Sequence, residues 1–194
     1  MSKVQKKLSK LIKKWFPNED EEIIEYGVFV LLSKTIFMIT IIIIGILFDE
    51  LVSIVVFTFM YTPLRSFAGG IHAKTPIRCY VFSLIMLITI AVLQRYVIAP
   101  VMVVYSLLIV GLLVILFLSP VATPNKPLEE IEIKVYKKKT ILICVAELLI
   151  GITFEVLNMH CIVFIVMCVF ITVSIMLILG KIEGLKTKND GGKK

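Results

Sequence analysis

Apolar residues in this chain gather into runs of about 18 or more, with the charges confined to short blocks between them. No other property limits its folds as severely, because a run of that length is what a helix needs to cross a bilayer. Six candidate spans result, at about 27–48, 51–68, 79–98, 101–118, 141–157 and 162–179. The expected fold is therefore all-α and integral to a membrane. The 194 residues are 59% hydrophobic with a mean hydropathy of +1.00, against roughly 45–50% apolar for a soluble domain. That length leaves room for one integral domain and no separate soluble one.

The spans are not equally clear. In the second, the continuous apolar part LVSIVVFTFMY (51–61) gives way to Pro63 and Arg65. It is read either as a full crossing or as a broken or re-entrant segment, the latter tolerated only where protein or a wet cavity covers it. The turns at Asp49-Glu50 and around Pro100 are short, so spans one and two, and three and four, form tight antiparallel hairpins. Ahead of the spans, KVQKKLSKLIKKWF (3–16) puts Val4, Leu8, Leu11, Ile12, Trp15 and Phe16 on one helical face and lysines on the other. That pattern predicts a helix lying in the membrane interface and ended by Pro17. The organisation expected is an amphipathic helix over 1–18, a polytopic membrane domain over 19–180 and a flexible basic tail over 181–194.

Charge gives the orientation. All but Lys34 and Arg95 of the 21 Lys and Arg residues fall on the N-terminal segment, the 65–78 and 119–140 loops and the tail. By the positive-inside rule these lie in the cytoplasm, with both termini, and Lys34 snorkels inward. The net charge of +7 suits anionic lipid headgroups rather than nucleic acid, because the bases sit beside apolar spans. No small-residue cleavage site follows the first span, so a removable signal peptide is not expected. Cys79, Cys144, Cys161 and Cys168 show no CxxC pair and no regular spacing, which argues against a disulfide framework or zinc ribbon.

One cytoplasmic stretch stands apart: RSFAGGIHAKTPIRC, residues 65–79. A nucleophilic cysteine needs a lowered pKa, a base in reach and access for substrate. Thr75-Pro76 reads as a helix N-cap followed by proline at the first helical position. That places Cys79 in the first turn or just beyond, where the positive end of the helix and the charges of Lys74 and Arg78 favour a thiolate. His72 is the one histidine expected on this side, while His160 is expected outside. Gly69 and Gly70 permit unusual dihedrals and close approach of a peptide backbone. Each residue also has an ordinary reading, since cysteine packs, a loop histidine is solvated and Gly-Gly turns. Their convergence on one short segment flanked by bases makes a Cys–His enzyme a candidate beside those ordinary readings. Two ligands are too few for a closed zinc site, so no metal and no cofactor is expected. Glu147, an acid within the fifth span, either faces inward water or touches substrate or His72. Glu155 is expected near the outer surface, and Cys144, Cys161 and Cys168 in packing roles.

The same stretch resembles the R-x-x-x-G-G-x-H-A…C segment of the accessory gene regulator B family of Gram-positive quorum-sensing peptidases. SPVATPNKPL (119–128) is similar to that family's loop between spans four and five, with Asn125 and Lys126 on its motif; Ala122 and Pro124 stand where an acidic residue is common. The resemblance implies an enzyme that removes the acidic tail of a membrane-associated autoinducer propeptide and promotes closure of a thiolactone or lactone ring. It makes His72 the general base and Cys79 the nucleophile and puts Arg65, Gly69 and Gly70 on its other motif positions; Ser66, Lys74, Thr75, Arg78, Asn125, Lys126 and Glu147 are read beside them as supporting or substrate-binding residues. It implies the propeptide as partner, a homodimer and a Gram-positive cell membrane. On that reading Lys137 to Lys139 are an orientation signal or a receiver for the acidic tail, and the N-terminal helix is an anchor or a dock for the propeptide's leader. Two other classes compete. A transporter or exporter of a small peptide would use the six spans with Lys34, Arg65 and Glu147 along its path; a non-enzymatic scaffold for a sensor kinase would use only the basic face.

Overall fold

The computed structural model describes residues 11–13, 20–71, 75–121 and 129–191. Of the amphipathic helix expected over 1–18, only Leu11, Ile12 and Lys13 are described, and they are helical. Six long helices follow: α1 (Glu21–Leu47), α2 (Leu51–Ala68), α3 (Pro76–Tyr96), α4 (Val101–Leu118), α5 (Glu130–Val156) and α6 (His160–Gly191). No strand occurs among the described residues. Residues 1–43 and 44–194 form two compact units, the first holding most of α1 and the second the rest.

Five helices, α1 to α4 and α6, are long and apolar enough to cross a membrane. The fifth expected span belongs to α5, which begins at Glu130 rather than near 141 and runs for 27 residues, ~40 Å of helix. Its start is a capping box: the Glu129 side chain accepts from the third helical amide, and Glu132 accepts from the Glu129 amide at 3.1 Å. Two orphan amides are thereby satisfied, and a charged half-helix precedes the apolar half. The second span is one continuous helix of 18 residues with Pro63 inside it, not a broken or re-entrant segment. Pro63 removes one intrahelical donor, yet Thr58, Thr62 and Ser66 turn their hydroxyls back onto the carbonyls of Ile54, Thr58 and Thr62 at 2.7–2.8 Å. These three hydroxyls are satisfied by their own helix, as hydrocarbon surroundings favour.

The corners opposite the 65–79 stretch are compact. After α1, Glu50 N–H donates to the Gly45 carbonyl and Asp49 N–H to that of Ile46, with Asp49 at φ 58°. After α5, Met159 N–H donates to Phe154 and Asn158 N–H to Glu155, with Asn158 at φ 59°. Both are Schellman closures, and the left-handed residue is the short polar type that tolerates it. At these ends Arg95 meets Asp49 at 3.3 Å and His160 meets Glu155 at 3.0 Å, all near the exposed surface.

Helix α6 forms the middle of the second unit. Ile165, Val166, Met167, Cys168, Val169 and Phe170 are buried in succession, so the helix is covered on every side there. It packs against α2, α4 and α5, and more lightly against α3. Contact with α4 is closest at Gly111, where a Cβ would lie 2.9 Å from Phe170 Cβ, and Ser174 Oγ donates to the Gly111 carbonyl at 2.9 Å. Phe59, Phe82, Ile85, Leu113 and Phe117 stand exposed, an apolar exterior that suits lipid and not water.

Candidate active site

The segment that leaves the end of α2 packs against the middle of α6, around Met176 and Gly180. Ala68 closes α2, and the chain leaves it through Gly69 at φ 81° and Gly70 at φ 114°, conformations that side chains disfavour. Three attachments then hold the departing strand. Arg65 reaches forward from the last turn of α2 and donates Nη1 to the Gly69 carbonyl and Nη2 to the Ile71 carbonyl. Ile71 N–H donates to the Met176 carbonyl of α6 at 3.1 Å. On the other side Val121 N–H donates to the Ala68 carbonyl at 3.0 Å, making a single parallel bridge between Gly69 and Val121 just after the cis Ser119–Pro120 peptide. A guanidinium fork matches two carbonyls at fixed spacing, which a lysine cannot do.

The start of α3 has the local structure its sequence implies. Thr75 is extended at φ −135°, its Oγ1 accepts from Arg78 N–H at 3.4 Å, and Pro76 fills the first helical position. Cys79 N–H donates to the Thr75 carbonyl at 3.1 Å, the first bond of the helix, so its thiol stands one turn in. Cys79 is a free thiol and exposed, as are Thr75 and Arg78. Tyr61 lies within electrostatic range of both the Arg65 guanidinium and Cys79. Sequence reasoning did not single out Tyr61. The available signal was its position four residues before Arg65, on the same face of α2.

The other expected residues fall differently. Ser66 is exposed and spends its hydroxyl on the Thr62 carbonyl. Glu147 is 4% exposed in α5, and its carboxyl oxygens have no hydrogen-bond partner among the described residues. It is thus not hydrogen-bonded to Arg65 or Tyr61, and no inward water-facing surface is open to it. His72, Lys74, Asn125 and Lys126 lie outside the described residues.

The lysine cluster divides by role. Lys137 donates Nζ to the carbonyls of Leu116 and, at 2.8 Å, of Ser119, closing the C-terminus of α4. Lys139 lies 4.8 Å over the Phe67 ring, which meets Tyr136 edge-on at 5.8 Å. Lys134 and Lys138 join Lys137, Ser119, Pro120, Ile133 and Ile141 around a pocket of about 450 Å³. It has apolar walls and a basic rim.

Five membrane-length apolar helices define a multi-pass membrane protein, with an exposed free thiol in the first turn of α3. The profile of the accessory gene regulator B family matches residues 2–179, and the chain belongs to that family. An AgrB-like protein of Clostridium perfringens (strain SM101 / Type A) is 31% identical over 131 residues, 64% of this chain and 59% of that protein. The accessory gene regulator protein B of Staphylococcus saprophyticus is 36% identical over 67 residues, 34% of this chain and 35% of the relative. The chain thus spans about three-fifths of the length of the first of these relatives and about a third of the second. No solved structure matches it.

Proposed function

We propose that this protein is a membrane-embedded cysteine endopeptidase that processes a quorum-sensing propeptide at the cytoplasmic face, with Cys79 as nucleophile and His72 as general base. The observation that carries the reading is the exposed Cys79 thiol in the first turn of α3, eight residues after Ile71, whose segment is held by Arg65 and by the Met176 carbonyl. Residues 72–74 alone link Ile71 to Thr75, a tether of at most ~14 Å. His72 belongs to that tether, so base and nucleophile leave from neighbouring anchors. Family membership supports the same roles.

The Cys79 thiolate attacks the scissile carbonyl, and the imidazolium of His72 gives its proton to the departing amine, releasing the acidic tail. The thioester left on Cys79 retains much of the acyl group's reactivity. A Cys or Ser side chain within the bound peptide then displaces Cys79 and closes a thiolactone or lactone ring, its proton passing to His72. Water would hydrolyse the same thioester, so a site at the membrane favours ring closure by excluding it. The pocket rimmed by Lys134, Lys137 and Lys138 suits the anionic tail of such a substrate. The substrate is an autoinducer propeptide, the membrane is anionic, the termini are cytoplasmic and the working form is a homodimer.

Cys79→Ser, made at normal level, tests the reading. Propeptide cleavage is expected to fall below detection, while a transporter would keep most of its activity. Cleavage by that variant at more than about a tenth of the normal rate rules out the cysteine mechanism, since losing a catalytic nucleophile costs far more than tenfold.

A further inference from the structure

We infer that Gly180, a residue of α6 remote in sequence from the 65–79 stretch, is a positioning residue for catalysis. It is the surface on which the Gly70–Ile71 peptide rests, and its lack of a side chain sets where the chain departs toward residue 72. The inference rests on the peptidase reading above.

The geometry is specific. A Cβ built on Gly180 would lie 2.7 Å from the Gly70 carbonyl carbon, 2.7 Å from Ile71 N and 2.9 Å from Gly70 Cα. All three are main-chain atoms, which cannot swing aside as the tip of a side chain could. The contact is mutual, since a Cβ on Gly70 would lie 2.7 Å from the Met176 carbonyl oxygen. Ile71 N–H donates to that same oxygen at 3.1 Å. Met176 and Gly180 are four apart, so one turn of α6 presents an acceptor and a bare patch side by side. The strand lies across that turn while Arg65 donates to its Gly69 and Ile71 carbonyls. Packed main chain against main chain, the Gly70–Ile71 peptide can make room only by shifting off α6. A methyl group at 180 therefore moves the strand away from α6 and loosens the Ile71–Met176 hydrogen bond.

The site gives this displacement its meaning. A shift of about 1 Å in a positioned group can cost on the order of 10²-fold in rate. Helix propensity acts in the opposite direction, because alanine favours helix over glycine. Gly184, one turn further along α6, supplies the control: a Cβ there meets nothing within 4 Å.

The experiment compares Gly180→Ala, Gly184→Ala, Ile71→Pro and Cys79→Ser as full-length proteins in proteoliposomes with the propeptide. Gly180→Ala is expected to lower kcat by about 10- to 100-fold with KM changed less than about threefold, and to melt no lower than wild type. Gly184→Ala is expected to match wild type in both. Ile71→Pro removes the amide donor from the strand and places its ring against the Met176 carbonyl while leaving the residues of α6 unchanged, and the same loss in kcat is expected. It also stands in if Gly180→Ala cannot be purified folded. Wild-type kcat in Gly180→Ala, or in Ile71→Pro when only that variant folds, overturns the proposal. So does a matching loss in Gly184→Ala, or a rise in KM with kcat unchanged. Full cleavage by Cys79→Ser overturns the peptidase reading instead, which keeps the two failures distinguishable.

Discussion

Arg65 does at the residue scale what no other side chain in its neighbourhood can. Its two terminal nitrogens reach two carbonyls of a strand whose glycines sit at positive φ. Lysine at that position keeps the charge and loses the fork. Arg65→Lys is therefore expected to cut propeptide processing by roughly 10- to 100-fold at normal protein level, given that a charge-assisted hydrogen bond contributes about 1.5–3 kcal/mol. Unchanged processing would show that the fork has no part in catalysis. The Thr75-Pro76 cap was legible in sequence because a cap is local: its donor, acceptor and proline lie within four residues. The Arg65 fork was legible only as a conspicuous base, because its role depends on which way the Gly69 and Ile71 carbonyls point. Gly180 carried no signal at all. One glycine in an apolar run looks the same whether it meets lipid or a neighbouring backbone.

Elements show the same division. Apolar length located the five helices long and apolar enough to cross a membrane, and a hydropathy pattern cannot see the charged half of α5, so that helix begins well before the stretch that predicts it. Proline and a short apolar core made α2 look interrupted, yet the helix closes over Pro63 while nearby hydroxyls turn inward. Lysines 137 to 139 read as a block, and the structure separates them. Lys137 is part of the joint between α4 and α5, whereas Lys138 only lines a pocket. Lys137→Met leaves two terminal carbonyls of α4 without their donor. It is expected to destabilise the protein by about 1 kcal/mol or more, against less than about 0.5 kcal/mol for Lys138→Ala. Thermal melts of the two variants in detergent check this, and equal midpoints would remove Lys137 from the joint.

For the molecule as a whole, the cysteines report the arrangement. Cys79 and Cys161 are exposed near opposite ends of the transmembrane helices, while Cys144 and Cys168 are 1% and 4% exposed. With cytoplasmic termini, a membrane-impermeant maleimide added to intact cells is expected to label Cys161 and spare Cys79. Permeabilised cells should then label both, and the buried pair should react only after denaturation. Cys161→Ser and Cys79→Ser assign the bands. Labelling of Cys79 in intact cells would invert the proposed topology. The same molecule ties the segment after α2 to the segment after α4 through the hydrogen bond from Val121 to Ala68. Only main-chain atoms take part in that link, so it is indifferent to which side chains occupy the two positions. An alanine scan would pass over the tether without detecting it, although through it any pull on one loop reaches the other.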